Sequence, residues 1–122
     1  MGAIIGGAAK ANAEEMRVTV PFDFKVSGKT LPAATYVVRE GLPNNTAALL
    51  FVTENTGAVA LANQVDPTVT GAKLVFHKIG DEYFLSDVVR AEGKLHFAPS
   101  KAEKKMTAAN QPPVTVTVVP GN

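Results

Sequence analysis

From Val18 onward the chain alternates. Val18, Val20, Phe22, Phe24 and Val26 fall on one side, and Thr19, Pro21, Asp23 and Lys25 on the other. A period of two is the mark of a strand with one buried face, because successive side chains point to opposite sides of a sheet. Pro21 has no N–H for a ladder, which places it at a sheet edge or a bulge. Ser27-Gly28-Lys29 turns the chain, and Leu31-Pro32 leads into a second strand over residues 35–40. Residues 41–45, Gly-Leu-Pro-Asn-Asn, carry turn chemistry. A third strand over 48–53 ends at Asn55-Thr56-Gly57, and 58–62 returns as its hairpin partner. Residues 63–71, with Asp66-Pro67, read as a loop.

The sharpest local prediction lies in residues 73–90, where two β-rich runs flank Gly80-Asp81. Glycine at the first central position suits a type II′ turn. Pairing Ile79 with Glu82 then sets Lys78 against Tyr83, His77 against Phe84, Phe76 against Leu85, Val75 against Ser86 and Leu74 against Asp87. Both faces of this ribbon carry apolar groups, so it is expected to be covered on both sides for part of its length. Residues 100–109 predict the one helix. Ser100 and Glu103 form a capping box, each side chain satisfying a free backbone N–H of the first turn, and Asn110 with Pro112-Pro113 ends it. Residues 114–119, Val-Thr-Val-Thr-Val-Val, alternate again before Pro120-Gly121. The whole predicts a mainly β fold. It is a single β-sandwich-like domain over residues 16–122 with one short α-helix near the C-terminus, preceded by an apolar segment, 1–15.

Composition narrows the function classes. The 122 residues suffice for one core, and a hydrophobic fraction of 46% supplies it. Twelve Lys and Arg against eleven Asp and Glu leave a formal charge of +1, which gives no electrostatic reason to expect nucleic acid as a partner. Lys101, Lys104 and Lys105 read as a solvated helix face. With no cysteine, disulfides, thiolate metal sites and cysteine nucleophiles are excluded. No stretch reaches the ~18 apolar residues of a membrane-spanning helix. Residues 1–13 are small and apolar and close in Ala11-Asn12-Ala13, which resembles the end of a secretory signal and makes export the expectation. The segment is read either as a signal remnant or as an assembly arm.

Three segments together carry a resemblance: VTVPFDFKVSGKTLPAATYVV (18–38), KLVFHKIGDEYFLSDVV (73–89) and the basic helix at 100–106. They resemble a family of small exported bacterial β-rich proteins of unassigned function, over most of residues 18–106. The resemblance implies a β-sandwich-like domain with a short helix, and no catalytic residues. The family pattern has glycine where this chain has Ala34; if that position demanded positive φ, alanine would be strained there. The Leu-Pro-Tyr spacing is also similar to that of prealbumin-like and immunoglobulin-like sandwiches, a likeness of fold only.

Candidate chemistry is sparse. His77 and His96 lie on different predicted segments, neither with a second histidine nearby in sequence. A metal site would need Asp81, Glu82 or Asp87 gathered by the fold; the simpler reading packs His77 beside Phe84. Of the three serines, Ser100 caps the helix, Ser27 turns the chain, and Ser86 has no histidine predicted on its face. There is no nucleophile elbow and no phosphate-cradling glycine loop. The six Phe and two Tyr fall mostly at inward strand positions. No catalytic residue, cofactor, metal or small-molecule substrate is therefore expected.

The termini stand out instead. No charged residue follows Lys105 and none precedes Lys10, whereas natural sheets protect exposed edges with charge. The bland reading pairs residues 114–119 inside their own domain. The sharper one donates that strand to a neighbouring copy through Val114, Val116 and Val118, with Ile4 and Ile5 of the N-terminal arm as a second candidate. The leading expectation is thus an exported, non-enzymatic structural or adhesive protein, able to self-assemble into filaments by terminal strand exchange. Its rival is a monomeric envelope or secreted module that binds a small ligand or a protein partner.

Overall fold

The computed structural model describes residues 15–42, 45–109 and 113–120; Ile4, Ile5 and the rest of the N-terminal arm lie outside the described residues. The described residues form, in order, β1 (Met16–Val20), β2 (Phe24–Val26), β3 (Lys29–Leu31), β4 (Ala34–Leu42), β5 (Asn45–Val52), β6 (Gly57–Leu61), β7 (Gln64–Asp66), β8 (Lys73–Ile79), β9 (Glu82–Arg90), β10 (Gly93–His96), α1 (Lys101–Ala109) and β11 (Val114–Val118). One antiparallel sheet runs β1-β4-β5-β6. The other runs β11-β8-β9-β10-β7, with the β2–β3 hairpin joined to β9 through a parallel pairing of Lys25 with Phe84. The fold is mainly β, two sheets with one short helix near the C-terminus, as the alternation predicts.

The first alternating run is split between the sheets. β1 lies at the edge of one sheet and β2 belongs to the other, the change falling at Pro21–Asp23. Val18, Val20, Phe24 and Val26 are nonetheless all buried, because both halves turn the same face to the shared interior. Pro21 thus sits at the corner, where no ladder bond is lost. Phe24 is the hub of the core. Its ring meets Tyr36 at 5.6 Å and Phe51 at 6.2 Å from one sheet, and Phe76 at 5.2 Å from the other. The Tyr36 hydroxyl donates to the carbonyl of Pro32, four residues back, the corner device of many β-sandwiches. Burial, and then the charge of Asp23, raise the Tyr36 pKa above the usual phenolic value. Ala34 opens β4 without positive φ. Among the described non-glycine residues only Ser27 has it, at 51°. With Gly28 at 76°, Ser27 makes the tight turn joining β2 to β3 in the doubly left-handed form that matches strand twist.

The β8–β9 hairpin has the predicted turn, with Gly80 at φ 62° and Asp81 outside the positive region. Its register also follows prediction from Ile79–Glu82 to Phe76–Leu85. Beyond that point a β-bulge intervenes, so Val75 opposes Asp87 and Leu74 opposes Val88. Ser86 is the extra residue. Unbroken alternation would send Asp87 into the core beside Leu74; the bulge reverses the phase, placing Val88 inside and Asp87 outside. Three strands were not anticipated: β3 begins within the expected turn at Ser27-Gly28-Lys29 and pairs with β2. β7 lies within the expected loop, and β10 pairs between β9 and β7. Gly93, at φ 141°, makes this possible, since a Cβ there would lie 2.8 Å from Pro67 Cα and 2.9 Å from the Asp66 carbonyl oxygen. Gly41 marks a second irregularity. β4 runs on to Leu42 and β5 restarts at Asn45, with the register shifting between Glu40 and Leu42.

Candidate functional site

Outside the sandwich, the second sheet carries its own small apolar set. Ile79, Phe84 and Val89 are buried yet stand apart from the main core. Helix α1 covers part of this face. Ser100 caps it through its hydroxyl, which accepts from the Glu103 N–H at 3.1 Å. The Glu103 carboxylate does not complete the capping box but turns inward to His77 Nδ1, 3.2 Å away. Glu103 is the helix's one buried residue, so a carboxylate fastens the helix to β8 through His77. The lysine face of α1 is exposed, as expected. Between the start of α1 and the β2–β3 turn lies a cleft of about 370 Å³, with Phe84, Leu85 and Phe97 among its lining and Lys25 and Lys101 contributing charge.

Further along the same face the fold builds a cluster absent from the sequence reading. Asp87 Oδ1 meets His96 Nδ1 at 2.8 Å, and the Ser86 hydroxyl donates to Asp87 Oδ2 at 3.0 Å. His96 shares an open groove of about 610 Å³ with Gln64, Val65, Asp66 and Lys94. The Thr68 hydroxyl and N–H both donate to Asp66, and with nearby Lys94 they hold its carboxyl below the usual range. The order of the cluster is Ser–Asp–His. In a nucleophilic triad the imidazole stands between serine and acid, taking the proton from one while oriented by the other. Here the carboxylate occupies the middle, so Ser86 meets Asp87 rather than the imidazole, which is not the arrangement of a triad. What the cluster does is fix the His96 ring and satisfy a carboxylate that the bulge has turned outward.

Among the predicted metal candidates only Asp87 and His96 are brought into contact, as a pair. His77 pairs with Glu103, Asp87 with His96, and Glu82 with Lys25, whose ammonium also lies over the Phe84 ring. Among the described residues no group of three potential ligands converges, and no helix is long and apolar enough to cross a membrane.

The predicted assembly residues Val114, Val116 and Val118 come together on β11, which pairs antiparallel with β8 of its own chain. Val116 and Val118 pack partly against the core, while Val114 is 60% exposed. Thr115 and Thr117 are exposed. β11 is the last strand of its sheet, and it differs from every other edge. β1 carries Arg17, flanked by the Arg39–Glu15 ion pair. β7 and β3 have three residues each and carry Asp66 and Lys29. β6 is uncharged, but the β2–β3 turn covers it: the Leu61 N–H donates to Ser27 Oγ and Lys29 Nζ to the Val59 carbonyl, both at 3.4 Å. β11 is five residues long and has no charge; β1 of the other sheet approaches it, but among the described residues no strand pairs with it on the side away from β8. Searches of protein-family models, curated proteins and solved structures return no match to this chain.

Proposed function

We propose that this chain is an exported, non-catalytic structural or adhesive subunit that associates with copies of itself through its C-terminal strand. One observation carries the reading: β11 is an uncharged, five-residue edge in a molecule whose other described edges are charged, short or covered. Such an edge offers backbone donors and acceptors with nothing to repel a partner. Export rests on the Ala-Asn-Ala motif ahead of Glu14. The absence of catalysis rests on the Ser–Asp–His order and on the separation of the two histidines. Sedimentation of the full chain and of a chain ending at Pro113 tests the reading. The full chain should associate with rising concentration, and the shortened one should stay monomeric with β-type circular dichroism. A full chain that remains monomeric at millimolar concentration refutes the proposal. That outcome favours a monomeric binding module instead, for which the cleft beside Phe84 and Phe97, with the more apolar lining, is one site.

A further inference from the structure

The proposed self-association leaves the mode of pairing open, and the residues of β11 narrow it. Val-Thr-Val-Thr-Val reads the same in both directions. An antiparallel partner strand runs in the opposite direction, so a second β11 laid along the free edge can match residue for residue. Centred on Val116, the register sets Val116 against Val116 of the second copy, Thr115 against Thr117, and Val114 against Val118. Valines then lie over valines on the core-facing side, continuing the row of Val116 and Val118 that packs on the core. Threonines lie over threonines on the solvent side, where both are exposed. Cross-strand Val–Val and Thr–Thr pairs are favourable in sheets, and directly opposed like charges, the usual obstacle, are absent.

From this self-complementarity we infer that the partner of the β11 edge is a second copy of the same edge. The two molecules are joined by a two-fold axis at Val116, and their β11-containing sheets merge into one. This rests on the reading of the chain as a self-associating subunit but differs from strand exchange. β11 keeps its own β8 partner, and an interface of one patch with itself closes at the dimer rather than growing into a filament. Five residues of edge make a small interface, so association falls in the range from ~1 µM to ~1 mM.

The chain has no cysteine, so engineered thiols report the register without background. Thr115→Cys and Thr117→Cys are prepared separately, both at exposed positions, then mixed and oxidised. The inferred register predicts a mixed disulfide at least tenfold more abundant than either homodimeric disulfide, because 115 opposes 117 and not itself. In parallel, T115K/T117K should raise the dimer dissociation constant at least tenfold with unchanged circular dichroism, and mixing with T115E/T117E should restore association. A chain that associates without the 115–117 preference and without charge-swap rescue overturns this inference while leaving self-association intact. A monomeric full chain refutes both. If deleting residues 1–14 converts a monomer into the cross-linking dimer, the N-terminal segment rather than a second copy covers the edge, and the inference fails for the intact chain.

Discussion

Replacing Gly93 by alanine tests whether β10 and β7 are held as described, and its cost can be built up from two separate terms. The first is conformational. At φ 141° an L side chain is strained by about 1–3 kcal/mol. The second is steric. The new Cβ would lie 2.8 Å from Pro67 Cα and 2.9 Å from the Asp66 carbonyl oxygen, and both are backbone atoms that cannot swing aside as a side-chain tip would. Overpacking of this kind adds about 1–3 kcal/mol. The sum, roughly 2–6 kcal/mol, is a large part of the stability of a typical domain, and corresponds to a melting temperature lower by about 8–24 °C at this chain length. Gly28→Ala supplies the control. Gly28 has φ 76° and nothing within 4 Å of a built Cβ, so only the dihedral term remains, about 1–2 kcal/mol. Thermal and urea denaturation followed by circular dichroism measure both variants. A Gly93→Ala protein no less stable than the Gly28→Ala protein would show that β10 does not cross so close to Asp66–Pro67.

Two further substitutions probe other parts of the argument. Gly80→Val should cost about 1–3 kcal/mol through φ alone, because a Cβ there finds Met106 Cε at an ordinary 3.8 Å; an unchanged urea midpoint would contradict the turn. Tyr36→Phe removes the bond to the Pro32 carbonyl and should cost about 1–3 kcal/mol, read from the same urea titration. Because the folded-state pKa of Tyr36 is raised, its contribution is complete below the unfolded phenolic value of about 10 and falls as pH rises through the folded value. The alkaline loss of stability should therefore be shallower in the phenylalanine variant, and equal slopes would refute that account.

How far the sequence disclosed this structure depends on whether each signal is local. The Gly80 turn and its first four pairs follow from neighbouring residues, and so does the Ser100 cap. The split between β1 and β2 does not show, because Phe22 continues the alternation across a corner whose two arms share one interior. The bulge left a trace: regular pairing would place Asp87 on the inward side with Leu74, an unfavourable position for a carboxylate. A phase reversal resolves it, and nothing local in the sequence marks Ser86 as the extra residue. β7 has only three residues, Gln-Val-Asp, with no pattern of its own; β10 supplies its partner groups. Glu103 satisfied a capping motif by spacing, but which way its carboxylate turns depends on His77, remote in sequence. The same remoteness hid the Ser86–Asp87–His96 cluster, since it exists only once the bulge turns Asp87 toward β10.

The corner at Pro21–Asp23 also bears on how the chain reaches this state in time. β4-β5-β6 and β8-β9-β10 are each meanders of neighbouring strands, so their hairpins form by closing short loops, on the microsecond scale typical of such ribbons. β2 is different, since its pairing of Lys25 with Phe84 spans the whole of the first meander in sequence. Closing so long a loop forfeits chain entropy before any native contact offsets it, which slows folding in proteins rich in distant pairings. The join of β2 to β9 is therefore the clasp of the sandwich: β1 pairs with nearby β4 and β2 with β3, but only the distant contact with β9 ties this segment, and Phe24 with it, to the second sheet.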